Sequence, residues 1–183
     1  MPNCDSLVRM LAERSARRGN FVLASGRQSS FYVDARLTTM SPDGLALIGP
    51  LALSAITTAF GNVDAVGGLT LGADPVSYAI AYASALAKTP IRAFSVRKEA
   101  KLHGTGRLIE GPFQIGDTVV VIEEVITTGR SALRATEAIR GAGGIVCGVL
   151  AVVDREEGGR EALETAGLSV LTLASASEIV IRM

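Results

Sequence analysis

The chain has 183 residues, of which 48% are hydrophobic and 20% are charged, and its 18 basic and 18 acidic residues give a formal net charge of zero. This composition is that of a globular protein with a substantial core and argues against intrinsic disorder. Without an excess of positive charge, no global field draws the chain to nucleic acid or to an anionic membrane. Cys4 and Cys147 are too far apart in sequence to suggest a disulfide framework, so reduced thiols in a cytoplasmic protein are the simpler interpretation.

The first forty residues predict a helix followed by two short strands. Asp5–Arg18 reads as a helix that ends at Gly19. Phe21–Gly26 and Ser30–Arg36 read as short strands on either side of a polar turn. The N-terminus becomes charged within its first nine residues, so we expect no signal peptide.

Ser41 and Pro42 predict the start of the next helix, with serine as its cap and proline in the first turn. The segment Gly44–Val63 carries no charge. Its 20 residues are the length that a helix needs to cross a bilayer. The segment nevertheless contains Pro50 and three glycines and has no flanking cluster of Lys or Arg. We therefore expect a buried core helix and not a membrane span.

From residue 64 onward, apolar runs alternate with helix-like segments. The strand candidates are Asp64–Leu69, Ile91–Val96, Thr118–Glu124, Gly144–Asp154 and Ser169–Ser175. The helix candidates are Pro75–Ala87, Ser131–Gly141 and Gly158–Ala166. Continuous apolar strands are typical of a parallel sheet covered on both faces, and their alternation with helices predicts a doubly wound, mostly parallel α/β fold. We expect a single domain over residues 1–183, with a small N-terminal hood from about residues 1–40.

The segment Arg97–Pro112 interrupts this alternation. It is 16 residues long and contains three glycines, and loops of that length in compact domains are usually functional or mobile. Its basic residues are Arg97, Lys98, Lys101, His103 and Arg107. A solvated basic loop is one interpretation, and a loop that closes on a highly charged anion such as pyrophosphate is the other. With one histidine and no cysteine at ligand spacing, a zinc site is not expected.

Four polar segments follow predicted strands, at the edge of the sheet where open α/β folds bind ligands. They are LTLGADP, RKEAKLHG, EEVITTGRS and DREEG. Their shared position indicates a ligand site more strongly than any one of them does alone.

Thr127–Ser131 runs directly into a predicted helix. Backbone N–H groups at a helix start, together with Thr and Ser hydroxyls, form an anion cradle, and Gly129 lets the backbone approach a ligand closely. Glu123 and Glu124 would repel a phosphate there unless they faced sugar hydroxyls or a ligand-borne Mg²⁺. A phosphorylated ribose offers both a phosphate and a diol. An ordinary capped turn and a solvated acidic strand end remain the alternatives from these residues.

The segment VVVIEEVITTG closely resembles the phosphoribosyl-pyrophosphate (PRPP) signature of the type I phosphoribosyltransferases. FVLASGRQSSFYVD, RKEAKLHG and DREEG resemble, in the same order, segments of the orotate phosphoribosyltransferases. The resemblance extends from about Phe21 to Gly158 and implies a type I phosphoribosyltransferase fold with a hood and a long flexible loop. It also implies transfer of the 5-phosphoribosyl group from PRPP to orotate, giving orotidine 5′-phosphate and pyrophosphate in pyrimidine nucleotide biosynthesis.

The same resemblance implies roles for individual residues. The expected catalytic residues are Lys101, Glu123 and Glu124, the two acids holding the ribose diol. The cradle for the 5′-phosphate comprises Val125, Ile126, Thr127, Thr128, Gly129, Arg130 and Ser131. The pyrophosphate contacts are Arg97, Lys98, Lys101 and His103. The family's orotate contacts correspond to Thr127 and Arg155, its hood contacts with the base to Tyr32 and Val33, and its pyrophosphate loop to Gly72, Ala73 and Asp74.

The resemblance further implies Mg²⁺ carried by PRPP, a homodimer whose active sites are shared through the long loop, and a cytoplasmic location. Neither nucleic acid nor a membrane is an expected partner. The alternative functions are a phosphoribosyltransferase for a purine or for uracil, and a homologue that senses PRPP without turnover.

The sequence departs from the family pattern at three places. Glu124 stands where the signature usually has Asp, which moves the carboxylate outward by about 1.5 Å, one C–C bond length. A displacement of about 1 Å can cost on the order of 10²-fold in rate. Ala24 stands where many members have Lys, and Asp74-Pro75 stands near a position where some relatives have Lys.

Overall fold

A computed structural model of the chain describes residues 4–22, 28–99 and 108–183. Ala24, Lys101, His103 and Arg107, which the sequence singled out, lie outside these ranges. Ordered elements occupy most of the described chain, and their bounds follow the predicted alternation closely.

Six strands form the central sheet, in the spatial order β5-β4-β3-β6-β7-β8. They are β3 (Ala65–Leu69), β4 (Arg92–Val96), β5 (Ile109–Glu110), β6 (Thr118–Ile126), β7 (Ile145–Asp154) and β8 (Ser169–Ser175). Strands β4, β3, β6, β7 and β8 run parallel, whereas β5 pairs with β4 in antiparallel register. The mostly parallel sheet confirms the predicted fold class.

Helices cover both faces of this sheet. They are α1 (Cys4–Met10), α2 (Arg36–Thr39), α3 (Pro42–Phe60), α4 (Ala73–Leu86), α5 (Arg130–Gly141), α6 (Gly159–Thr165) and α7 (Ala176–Ile181). Alternate residues of β6 enter opposite cores, because successive side chains of a strand point to opposite faces. Val120 and Ile122 pack in the core beside α3 and α4, and Val119 and Val121 pack in the core beside α5. Continuous apolar strands therefore follow from burial on both sides.

The N-terminal part folds beside the sheet as a small hood. After α1, a π-helical turn (Leu11–Ser15) leads into β1 (Ala16–Val22), which pairs antiparallel with β2 (Gln28–Val33). The predicted opening helix is therefore too long by three residues. Residues from Ala16 onward join the strand ladder, where Ala16 lies opposite Val33.

Helix α3 begins as predicted, since the Ser41 hydroxyl accepts a hydrogen bond from Gly44 N at 3.1 Å and Pro42 is in the first turn. Among the described residues, α3 is the one helix long and apolar enough to cross a membrane, and 33% of its most apolar window is buried. Ile48 and Ile56 are fully buried against the sheet. One face of α3 is thus a core face, while the opposite face lines a groove beside α4.

The expected long loop does not stay irregular to its end. Its last part returns to the sheet as β5, where Ser95 lies opposite Glu110, and Arg97 N donates to Leu108 O at 2.8 Å. This short edge strand brings both described ends of the loop together beside β4.

Candidate active site

The carboxyl ends of β3 and β6 form a crevice at a topological switch point. After β3 the chain moves to β4 on one side, and it then returns to β6 on the other side of β3. Open α/β sheets bind ligands in such a crevice. The turn after β3, which contains the cis peptide Thr70-Leu71, and the turn after β6 line its two walls.

The turn after β6 has the geometry of an anion cradle. Gly129 adopts a left-handed conformation with φ of 76° immediately before α5, and no side chain caps the helix. The first N–H groups of a helix have no acceptor within it, so those of Arg130 and Ser131 remain available to an anion. Thr127 and Thr128 are exposed beside them. The expected phosphate residues therefore converge on one helix start.

Gly129 is required there for two reasons. Its φ is one that residues with a Cβ rarely adopt. A Cβ at this position would also lie 2.9 Å from Gly159 O, at the start of α6. The cradle is therefore fixed by the packing of α6 against it.

The two acids at the end of β6 occupy different environments. The Glu124 carboxylate lies against the turn after β3, since a Cβ on Gly72 would be within 2.0 Å of the Glu124 carboxyl atoms. Glu123 is only 7% exposed. Burial, followed by the hydrogen bond and the charge of Glu124, raises the pKa of Glu123 well above its ordinary value of 4.5. Glu124 thus lies beside the turn after β3, and Glu123 is buried next to it.

The turn after β3 contributes a second carboxylate near Glu124. Asp74, in the first turn of α4, has its pKa raised by burial and by the charge of Glu124, against a hydrogen bond with Ser95 that lowers it. Ser95 also contacts the hydroxyl of Tyr78 at 3.0 Å. Ala73 is fully buried, backbone and side chain alike.

The described basic residues of the long loop lie at the end of β4. Arg97 is 3.5 Å from the Glu110 carboxylate, and its Nε has no hydrogen-bond partner among the described residues. Lys98 is exposed, and its carbonyl accepts from Arg134 Nη2 at 2.8 Å. Both residues stand beside β3, on the side of the crevice opposite β7 and β8.

The other side of the crevice holds Arg155, directly after β7. Its backbone N–H donates to Ile126 O at 2.9 Å, which ties it to the end of β6. Its guanidinium carbon is 4.9 Å from the ring centroid of Phe31 in the hood. Tyr32, the next hood residue, is partly exposed, and its ring centroid lies 5.6 Å from that of Phe21. The hood therefore covers the Arg155 side of the site.

Three residues near the expected contacts were not found from the sequence. Phe31 and Glu157 both contact Arg155, and Arg36 lies close enough to Glu124 to interact with its charge. The hydrogen bond to Asp34 and then the charges of Asp34 and Glu124 raise the pKa of Arg36. The contact of Phe31 with Arg155 and the proximity of Arg36 to Glu124 join the hood to the sheet over long sequence separations, so no local spacing signals them. The contact of Glu157 with Arg155 is local, across two residues of the turn after β7.

The described residues contain no group of three or more His, Cys, Asp or Glu side chains placed to hold a metal ion. A large apolar groove of about 1210 Å³ opens next to the site, between α3 and α4. It is lined by Leu71 of the turn after β3 and by Asp74 at the start of α4. The site and the groove are therefore continuous.

The sequence is similar to curated proteins over nearly its whole length. An orotate phosphoribosyltransferase of Aquifex aeolicus is 48% identical over 179 residues, which cover 96% of this chain and 97% of that protein. No protein-family model matches the sequence.

Solved structures of the same enzyme are also similar in fold. An orotate phosphoribosyltransferase of Mycobacterium tuberculosis in complex with PRPP superposes with a TM-score of 0.82 at 40% identity, covering 98% of this chain and 99% of that one. The enzyme of Aeropyrum pernix superposes with a TM-score of 0.81 at 32% identity, covering 96% and 97%.

Proposed function

The chain belongs to the orotate phosphoribosyltransferase family, and we propose that the crevice at the ends of β3 and β6 is its active site. The enzyme transfers the 5-phosphoribosyl group from PRPP to orotate, giving orotidine 5′-phosphate and pyrophosphate for pyrimidine nucleotide biosynthesis. One observation carries the assignment of the site: the helix start after Gly129 and the carboxylate of Glu124 stand at the end of the same strand. A ribose 5-phosphate needs the helix start for its phosphate and the carboxylate for its diol.

We assign the sugar phosphate to this strand end. The 5′-phosphate accepts hydrogen bonds from the backbone of the cradle, residues 125–131, and from its threonine and serine hydroxyls. The ribose diol donates to the paired acids, the partly exposed Glu124 and its buried neighbour Glu123. Because both acids are fixed on β6, the sugar is held in a defined position relative to the base site.

The orotate ring lies between the end of β7 and the hood in this proposal. Its carboxylate pairs with Arg155, whose planar guanidinium can form two parallel hydrogen bonds to a carboxylate. Thr127 and Tyr32 flank the ring. Orotate loses the proton of its ring nitrogen as that nitrogen bonds to C1′, and the departing pyrophosphate oxygens can take up this proton, so the described residues need not supply a strong base.

The leaving pyrophosphate lies toward the turn after β3 and the end of β4. Cleavage of the C1′–O bond places negative charge on the pyrophosphate and positive charge on the ribose ring. Cations fixed where negative charge develops stabilise the transition state. We assign this role to Arg97, Lys98, Lys101 and His103, with Ala73 and Asp74 bordering the same position. Lys101 and His103 lie outside the described residues, so their assignment rests on the family motif.

Mg²⁺ enters as part of the substrate in this proposal, bound to the pyrophosphate oxygens of PRPP. Carboxylates favour such hard cations, and Glu124 and Asp74 stand beside the expected pyrophosphate position. The protein's own acids then orient the Mg²⁺–PRPP complex through their charge.

We further propose a cytoplasmic homodimer whose active sites are shared through the loop after β4. Exposed apolar side chains along α4, which include Tyr82 and Leu86, support this proposal. Their groove is continuous with the turn after β3. A second copy seated on it would therefore lie next to this site.

A comparison of turnover with different bases is the direct test of the function. The enzyme is supplied with Mg²⁺–PRPP and one base at a time, and loss of base absorbance is followed. We expect turnover with orotate and none with adenine, hypoxanthine or uracil, since those bases have no carboxylate for Arg155. Turnover with another base would favour a different phosphoribosyltransferase, and PRPP binding without turnover would favour the PRPP sensor.

A further inference from the structure

Arg155 is buried in an unusual way for a ligand-binding arginine. Its side chain is only 3% exposed, and the ring of Phe31 covers the guanidinium at 4.9 Å. Nε and Nη2 make no hydrogen bond with the described residues. These two nitrogens lie on the same edge of the guanidinium, the edge that grips a carboxylate with two parallel bonds. A buried cation with that edge unsatisfied is costly unless a carboxylate takes it.

A carboxylate of the chain itself already stands at this edge. Glu157 Oε1 lies 2.9 Å from Arg155 Nη2, and the Glu157 side chain is 12% exposed. The contact is an ion pair by distance, yet it leaves both edge nitrogens without a well-aligned hydrogen bond. Glu157 therefore balances the charge of Arg155 without satisfying its geometry.

The turn that carries Glu157 is anchored on both sides. The Asp154 carboxylate accepts from Glu156 N at 2.8 Å and from Arg160 Nε at 2.9 Å. The Glu156 carboxylate accepts from Ser177 N at 2.8 Å and from its hydroxyl at 3.0 Å. Because neighbouring residues hold the backbone, Glu157 can leave Arg155 by rotating its side chain, with no rearrangement of the turn.

On the premise of the function proposed above, we infer that Glu157 is an internal competitor of orotate for Arg155. One buried guanidinium cannot hold two carboxylates at the same edge without strong repulsion between them. Orotate therefore has to displace Glu157, and part of its binding free energy is used in doing so. The residue is specificity-determining, because a base without a carboxylate cannot displace it from Arg155.

Replacing Glu157 with glutamine tests this inference, because the change removes the charge and keeps the size. If Arg155 is available to orotate in about a tenth to a third of molecules, the KM for orotate falls by roughly three- to tenfold in Glu157→Gln. The KM for PRPP should stay unchanged, and kcat should change by less than about twofold. Direct titration of orotate should give the same fold-change in Kd.

Glu161→Gln is the matched control, since Glu161 is an exposed carboxylate on the adjacent helix α6. It should leave both KM values unchanged. Glu157→Asp is a second variant that keeps the charge but withdraws the carboxylate by one methylene, and it should lower the KM for orotate by a smaller factor. Thermal unfolding of all three variants checks that they are folded.

The outcomes separate this inference from the function on which it rests. A KM for orotate that is unchanged or raised in both Glu157 variants overturns the competitor role, because Glu157 would then support Arg155. Absence of orotate turnover by the unaltered chain would instead refute the proposed function, whatever the variants do.

Discussion

At the scale of single residues, the burial of Glu123 links stability to pH. Its raised pKa means that the folded chain prefers the protonated carboxyl, with burial as the main cause and Glu124 as the second. A folded-state pKa above the unfolded value stabilises the protein at low pH, and this stabilisation is lost as pH rises through the folded-state pKa. Above that pH, the native state contains an ionised carboxylate that has little solvent.

Glu123→Gln should therefore be more stable than the unaltered chain at high pH. As pH rises above 4.5, the ordinary pKa of a glutamate, we expect the variant to gain free energy of unfolding relative to the unaltered chain, by about 1–3 kcal/mol, the range for an unsatisfied buried polar group. Urea unfolding at several pH values measures this difference. Glu137→Gln, a change at an exposed position of α5, is the control. Equal pH slopes for Glu123→Gln and the unaltered chain would contradict the expectation.

At the residue scale, the sequence predicted which residues form the site but not their burial or their long-range contacts. The motif around Glu123 and Glu124 placed both acids at the end of a strand, which the structure has. It did not show that Glu123 is buried while Glu124 is partly exposed, because burial depends on neighbouring elements such as β7, where Ala151 lies opposite Glu123. The contact of Arg155 with Phe31 was missed because Phe31 comes from the hood, more than a hundred residues earlier. The contact with Glu157 was missed because the two adjacent acids after Arg155 do not show by sequence which one turns toward it.

At the scale of elements, the alternating pattern predicted nearly every strand and helix of the sheet to within a few residues. The prediction differs from the structure where strand pairing or helix capping determines which element forms. Residues after Ser15 join β1 because β2 is available to pair with them, and β5 has only two residues. Helix α7 begins at a Ser175–Glu178 capping box, a signal present in the sequence that the apolar pattern of β8 obscured.

The contact between the turn after β3 and the end of β6 gives a prediction about two elements. Gly72→Ala places a methyl group within 2.0 Å of the Glu124 carboxyl atoms. The backbone of Gly72 is helical, with φ of −64°, so alanine itself is not strained there. The clash is with the end of a flexible side chain, and we expect a loss of stability of less than about 1 kcal/mol.

The activity of Gly72→Ala should fall much further, by roughly 10²-fold in kcat/KM, because the Glu124 carboxylate must move by about 1 Å or more. Shortening the acid should relieve the clash, so Gly72→Ala combined with Glu124→Asp should be more active than Gly72→Ala alone. Steady-state kinetics of the two single variants and the double variant measure this coupling. Strictly additive losses would show that the two positions act independently.

At the scale of the whole molecule, the surface along α4 presents a contiguous apolar patch. Leu71, Tyr82 and Leu86 are 73%, 69% and 68% exposed, and together with Tyr78 they border the groove between α3 and α4. Contiguous apolar patches of this kind mark protein interaction surfaces. An apolar patch that pairs with its own copy gives a symmetric dimer, the assembly proposed above.

Tyr82→Arg should separate the two chains, because it introduces a charge at the centre of the apolar surface. We expect the molar mass from light scattering to fall from that of a dimer to 19.0 kDa, the mass of one chain. Because the loop after β4 would no longer reach a second site, kcat should fall by at least about tenfold while the thermal unfolding transition persists. Ile145→Arg is the matched control, since Ile145 is an exposed apolar residue outside the groove between α3 and α4, where β7 begins. A Tyr82→Arg protein that remained dimeric would place the interface elsewhere, and a fully active monomer would show that each chain completes its own site.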